Sequence, residues 1–302
     1  MAAPQAARRG GGTGEPMHFV GVSLDRPRVM GVVNVTPDSF SDGGEAFATP
    51  AAIERGLAMV RAGADFIDVG GESTRPGAEP VAVDEELRRV VPVVSALSAD
   101  GVRVSIDTRR SEVMAAALDA GAAIVNDITA LSGDARSLPL VAERRAAVVL
   151  MHMQGEPRTM QVNPHYEDAP RDIHAWLTAR LDACLHAGIL RERIALDPGI
   201  GFGKTLEHNL QVLAHLALYR PLGCALLIGV SRKSFVARLS GGAPAQNRLP
   251  GSLAAGLAAV AQGAHILRVH DVEATVQALS VWAAISAAAG GESNLEFGGG
   301  GV

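Results

Sequence analysis

With 302 residues, 48% of them hydrophobic and 20% charged, the chain can bury a large core, which excludes extensive disorder and fits one α/β barrel or two smaller domains. A net charge of -5 supplies no general field for nucleic acid or an anionic membrane, so any anion has to be captured locally. The only cysteines, Cys184 and Cys224, exclude a disulfide framework or a Cys-rich zinc site and read as buried thiols.

Taken in chain order, residues 1–16 read as a disordered Gly-rich leader. Arg8-Arg9 could open a twin-arginine export signal, but residues 10–16 stand where its apolar segment would have to be, so a bacterial-type cytoplasmic location is expected. Strands are predicted over 29–35, 65–69, 102–106, 123–126, 147–151, 194–196, 225–229 and 265–269. Helices follow near 51–62, 84–97, 111–120, 138–144, 171–187, 206–216, 252–262 and 272–288. Residues 290–302 read as a flexible tail, leaving 17–289 as one domain. The longest apolar runs, 224–230 and 252–261, are too short or too interrupted to predict a membrane span.

The strands are almost continuously apolar, as in a parallel sheet covered on both faces. An open doubly wound sheet would give the same local signal. The count of eight strand–helix units, with no break in composition, favours a closed (β/α)8 TIM barrel.

In such barrels the chemistry sits at the C-terminal ends of the strands. Here those ends carry Asn34, Asp68, Asp107, Asn126, His152, Asp197, the Ser231-Arg232-Lys233-Ser234 run, Arg268 and His270. Thr108, Ser111 and Asp271 read as helix caps. For Asp107, Asn126 and Asp197 that reading fits poorly, because they leave strand ends several residues before the helix. An unpartnered acid in a barrel mouth is costly, so three such groups imply a ligand with several donors.

Arg268 and His270 alternate around Val269 and point to one side, where both can donate to a phosphate, although an Arg–carboxylate pair is the plainer role for Arg268. Lys233 and Ser234 begin a predicted helix, whose free N–H groups favour an anion. The 197–205 loop is neither a phosphate-binding P-loop, because Pro198 stands at the first glycine position, nor a dinucleotide loop, because Lys204 stands at the third. Its glycines suit a backbone passing close to a flat ligand beside Phe202. His152, His165 and His270 lack metal-ligand spacing.

The run Asn34-Val35-Thr36-Pro37-Asp38-Ser39-Phe40-Ser41-Asp42-Gly43-Gly44 and the run Asp68-Val69-Gly70-Gly71-Glu72-Ser73-Thr74-Arg75-Pro76-Gly77 resemble the two signature loops of dihydropteroate synthases. Ser105-Ile106-Asp107-Thr108, Asn126-Asp127-Ile128, Met151-His152-Met153-Gln154-Gly155, Asp197-Pro198-Gly199, Ser231-Arg232-Lys233-Ser234 and Arg268-Val269-His270-Asp271-Val272 resemble later blocks in the family's order. The resemblance covers roughly residues 29–288 and omits the leader and tail.

It implies condensation of 6-hydroxymethyl-7,8-dihydropterin pyrophosphate with 4-aminobenzoate, giving 7,8-dihydropteroate and pyrophosphate. By the same resemblance Asp107, Asn126, Asp197 and Lys233 hold the pterin. Asn34 binds Mg²⁺ with the pyrophosphate, and Arg268 and His270 grip phosphate oxygens. Thr74 and Arg75 belong to a mobile lid, and Ser234 receives the aminobenzoate carboxylate near Phe40 and Pro76, where sulfonamides would compete. A homodimer is implied, with the 272–288 helix as one candidate surface. Two alternatives remain: a pterin-binding methyltransferase, which needs no pyrophosphate site, and a non-catalytic pterin-binding paralogue.

Overall fold

The computed structural model describes residues 17–36, 45–73 and 81–290. A short hairpin, β1 (His18–Phe19) and β2 (Val22–Ser23), precedes eight parallel strands. These are β3 (Arg28–Asn34), β4 (Phe66–Gly70), β5 (Val104–Asp107), β6 (Ile124–Asp127), β7 (Ala147–Met151), β8 (Ile194–Asp197), β9 (Ala225–Ile228) and β10 (Ile266–Val269). Each pairs with the next, and β10 returns to β3, Ile266 opposite Arg28 and Val269 opposite Gly31, so the sheet closes on itself. The eight predicted strands are the eight staves of this barrel.

The outer ring is α1 (Glu45–Arg61), α2 (Val83–Ala99), α3 (Ser111–Asp119), α4 (Ser137–Arg144), α5 (Ala169–His186), α6 (Leu206–Ala214), α7 (Ser234–Leu239), α8 (Leu249–Ala261) and α9 (Val272–Gly290). In α5 the local code is plain. Asp168 accepts the Arg171 N–H at 3.2 Å, Pro170 lies in the first turn, and Ile173, Leu177, Leu181 and Cys184 fall on one buried face at three- and four-residue spacing. Cys184 and Cys224 are both buried free thiols, as expected.

After β9 the chain forms two helices, with α7 ahead of α8, where the sequence predicted one full helix and a helix start at Lys233. The final helix also differs from expectation. Its Val272–Ala289 stretch is long and apolar enough to cross a membrane by length and composition, which inspection of single runs missed because Thr275, Gln277 and Ser280 interrupt it. In the barrel it packs on α8 and β3 as the last staves require. It runs through Gly290, so the predicted tail begins inside a helix; the rest of that tail and the predicted leader lie outside the described residues.

Strand alternation sorts the side chains. Met30, Phe66, Ile124, Ala147, Val149, Ala195, Ala225, Leu227 and Ile266 point inward and form an apolar plug with Phe19 and Leu24. The hairpin thus caps the N-terminal end, with Phe19 edge-on to Phe66 at 5.9 Å between ring centres. Its turn holds Val20 and Gly21 at φ 50 and 71, a two-residue turn with both central residues left-handed. The outward residues, among them Val33, Ile67, Ile106, Val125, Val148, Leu196 and Ile228, meet the helices. With the lower barrel filled, the inward positions available to a ligand are those toward its C-terminal end.

Candidate active site

Above the plug, the inward positions turn polar. Asp68, Asp107, Asn126, Asp197 and Arg268 continue the same alternation on β4, β5, β6, β8 and β10. The three predicted acceptors therefore do share one mouth, nearly buried at 9%, 5% and 5% exposure for Asp107, Asn126 and Asp197. Asp127, by contrast, points outward and binds the N–H groups of Thr129 and Leu131 at 2.7 and 2.9 Å.

Arg268 ties the mouth together. Its Nε donates to Asp68 Oδ2 at 2.6 Å and one terminal nitrogen donates to Asp107 Oδ2 at 2.7 Å. Asn126 Nδ2 donates to the same Asp68 oxygen at 3.0 Å. Burial disfavours the guanidinium charge, but the two carboxylates more than offset it and raise the Arg268 pKa. Burial pushes the Asp107 carboxyl up to about 7 against the pull of Arg268, with Asp68 adding to the rise. The Arg–carboxylate pair read as the plainer role of Arg268 is thus present, and it lies within the pocket.

Glycines leave the room. A Cβ on Gly70 would lie 3.4 Å from Asp107 Cβ, 3.7 Å from Asp107 Oδ2 and 3.8 Å from Asn34 Oδ1. One on Gly229 would lie 3.8 Å from Lys233 Nζ and 3.9 Å from Arg268 Cβ. Gly70 thus stands beside both Asn34 and Asp107, and Gly229 beside both Lys233 and Arg268, so these polar groups border one slot.

The loop after β8 forms the next wall, and nearly every polar group along it is held. Asp197 Oδ1 accepts the Gly199 N–H at 2.8 Å, Asn209 Oδ1 accepts that of Gly201 at 2.6 Å, and Lys233 donates to the Ile200 carbonyl. Gln161 and Tyr166 bind the Gly201 and Gly203 carbonyls at 2.7 and 2.8 Å. Phe202 lies half-buried with Lys233 Nζ 4.6 Å from its ring centre. Burial lowers Lys233 to about 8 despite Asp197, and burial raises Asp197 despite Lys233.

Two positively charged or proton-bearing groups complete the rim. Ser231 Oγ accepts the His270 backbone N–H at 3.2 Å and lies 3.1 Å from Nδ1. Burial, then Arg268 and Arg232, lower His270 to about 3. It can therefore grip a phosphate by a hydrogen bond and without charge. Ser234 is the exposed first residue of α7.

Thr74 and Arg75, with Pro76 and Phe40, lie outside the described residues. The cap readings fail in part. Ser111 is the first residue of α3, its N–H bound by Asp134 at 2.9 Å, and Asp271 is held by Arg232. Sequence reasoning assigned Asp68 no role beyond its place at a strand end, and it passed over Lys204, whose buried Nζ bonds His152 Nδ1 and the Phe202 carbonyl, both at 3.0 Å. Inward parity with Gly70 was the available signal for Asp68; for Lys204 there was none. Among the described residues no three His, Cys, Asp or Glu side chains gather as a metal site.

Comparison with known proteins bears on this site. The profile of the pterin binding enzyme family matches residues 30–270. Over 269 residues the chain is 48% identical to the dihydropteroate synthase of Neisseria meningitidis serogroup B, covering 87% of this chain and 94% of that protein. The structure of Xanthomonas albilineans dihydropteroate synthase with 4-aminobenzoic acid superposes with a TM-score of 0.84 at 50% identity, covering 88% and 95% of the two chains. Yersinia pestis dihydropteroate synthase in a sulfonamide drug complex gives 0.83 at 46% identity, over 88% and 96%. The chain belongs to the family of pterin-binding enzymes, among the dihydropteroate synthases.

Proposed function

We propose that the chain joins 6-hydroxymethyl-7,8-dihydropterin pyrophosphate to 4-aminobenzoate, releasing pyrophosphate and 7,8-dihydropteroate. The observation that carries this is the polar lining of the mouth: Asp107, Asn126 and Asp197 supply acceptors, Lys233 supplies a donor, and Arg268 binds Asp68 and Asp107. A pterin offers a row of ring and amino N–H groups on one edge and acceptors on the other. Acceptors and donors in the pocket match that polarity.

The leaving group sits on a CH₂ conjugated with the pterin ring, so the C–O bond can break before attack and the ring delocalises the positive charge. The pyrophosphate keeps the bonding electrons. The aminobenzoate nitrogen then closes the C–N bond and loses its proton to solvent or pyrophosphate. No protein nucleophile is required. What the chain supplies is placement and fixed charge: Arg268 and the His270 ring for the departing oxygens, and the buried carboxylates of Asp107 and Asp197 for the ring cation.

Asn34 fits Mg²⁺, because its Oδ1 borders the space that Gly70 leaves open beside Asp107 Oδ2, and Mg²⁺ takes hard oxygen ligands and keeps phosphate or water for the rest. When bound there with the pyrophosphate, the ion would neutralise charge on the leaving group. Thr74 and Arg75 complete the proposal as a covering loop. Ser234, exposed at the mouth, would meet the aminobenzoate carboxylate, and sulfonamides would compete there.

A homodimer and a cytoplasmic location belong to the same reading. Exposed Val281 and Ile285 on α9, at 56% and 65%, support the first, and two unpaired thiols fit the second. The test is product: 7,8-dihydropteroate identified by mass when both substrates are supplied. Methyl transfer from methyltetrahydrofolate to a corrinoid, with no dihydropteroate formed, would overturn the proposal.

A further inference from the structure

We infer that Asp68 is a positioning residue for the pterin: its carboxylate fixes which end of the Asn126 amide faces the pocket, and so sets the pocket's preference for a donor edge. The inference rests on the synthase reading for the identity of the ligand. Asp68 stands on β4 at 0% exposure, two residues below Gly70 on the inward face. It is not exposed to the slot. Its influence has to pass through the two residues it holds.

Both of those residues bind a single oxygen. Oδ2 accepts Arg268 Nε at 2.6 Å and Asn126 Nδ2 at 3.0 Å. A guanidinium has donors only, so that oxygen is an acceptor, and the Asn126 atom beside it has to be nitrogen. The amide oxygen of Asn126 is thereby left for the pocket. It joins the carboxylates of Asp107 and Asp197 as a third acceptor. Turned over, the same amide would place an N–H among them, facing the ligand's own N–H groups.

The packing gives no reason for a carboxylate here. One layer down, the inward position of β4 is Phe66, and the barrel closes well around it. A buried carboxylate is costly unless fully paired, and the second oxygen of Asp68 has no partner among the described residues, like Ser105 Oγ at the paired position on β5. Apolar residues could fill this layer. Orientation of Asn126 and retention of Arg268 are what a carboxylate adds.

The experiment compares Asp68→Leu with Asp68→Asn in the full chain. It titrates 6-hydroxymethyl-7,8-dihydropterin calorimetrically and measures KM for 4-aminobenzoate. Leucine removes the acceptor, and we expect pterin affinity to fall about 30- to 100-fold, the loss of one or two bonds to charged groups. Asparagine can still accept from Arg268 through its carbonyl, so the loss should stay under about tenfold, with KM for 4-aminobenzoate within about twofold. A purely structural role would move both ligands together. Pterin affinity within about threefold of wild type in Asp68→Leu, or equal losses in the two variants, overturns the inference.

Should Asp68→Leu fail to fold, the cycle of Asp68→Asn with Asn126→Ala decides. Effects smaller in the double variant than the sum of the singles support action through Asn126; full additivity contradicts it. The binding arm does not depend on turnover. A wild-type chain that binds the pterin but forms no product would sink the synthase reading and leave this one standing.

Discussion

The carbonyl oxygen of His152 stands 1.9 Å from the point that a Cβ on Gly199 would occupy. The loops after β7 and β8 thus meet backbone to backbone, and Gly199 also has φ +71, where an L side chain is strained. Nothing flexible can give way. Gly199→Ala should cost about 3 kcal/mol or more and lower the Tm by about 5–10 °C. It should weaken pterin binding as well, since Asp197 is bonded to the Gly199 N–H. A Tm within about 2 °C of wild type in thermal unfolding would contradict this contact.

Arg268 is asked to stabilise the departing pyrophosphate. Losing one well-aimed electrostatic donor costs roughly 10² to 10³ in rate, and Arg268→Ala should fall by that order in kcat. The variant also leaves Asp68 and Asp107 without their shared cation, so its stability should be measured beside its rate. Wild-type turnover in a folded variant would remove Arg268 from the mechanism.

The pH profile follows from two groups in the slot. To accept ring N–H groups, Asp107 has to be ionised, and burial holds it near 7. To donate, Lys233 has to be protonated, and burial lowers it to about 8. A plot of kcat/KM for the pterin substrate should therefore rise through about pH 7 and fall above about pH 8, since that parameter reports the free enzyme. The two limbs belong to a coupled cluster and need not match either residue alone. A flat profile from about pH 6 to 9 would refute the assignment.

The buried histidines should weaken the fold in acid for a different reason. Burial lowers His152 and His270 to about 3, so the folded chain refuses protons that the unfolded chain takes up near 6.5. Across that window the unfolded state binds more protons, and stability falls as pH drops from 6.5 toward 3. Asp107 acts in the opposite sense between 3.8 and about 7, because the folded chain keeps its proton longer. Asp197, Asp127 and Glu86, also raised by burial, act with Asp107, so the histidine contribution is read as a difference between variants. From pH 7 to pH 5 the urea midpoint of the wild type should fall relative to that of His152→Gln, and an unchanged gap between the two would show that His152 contributes nothing.

Most of this architecture was legible in the residues. Each barrel stave is a short apolar run, and a polar residue at its end has few places to point, so Asp107, Asn126 and Asp197 could be brought together before any coordinates. The plug was not legible. Val20 in a left-handed turn is a poor local signal for a hairpin, and Phe19 earns its burial only once Phe66 arrives from another strand. Asp68 was read as one more strand end because its meaning lies in Arg268, 200 positions away. Ser111 was read as a cap because the acid that binds its N–H, Asp134, comes from the neighbouring loop.

The most direct measurement is pyrophosphate release by the purified chain from the pterin pyrophosphate, with and without 4-aminobenzoate, in Mg²⁺ or EDTA. The account predicts release in Mg²⁺, one 7,8-dihydropteroate for each pyrophosphate when 4-aminobenzoate is present, and little release in EDTA. Tight binding of the pterin pyrophosphate with no pyrophosphate released under any of these conditions would contradict it.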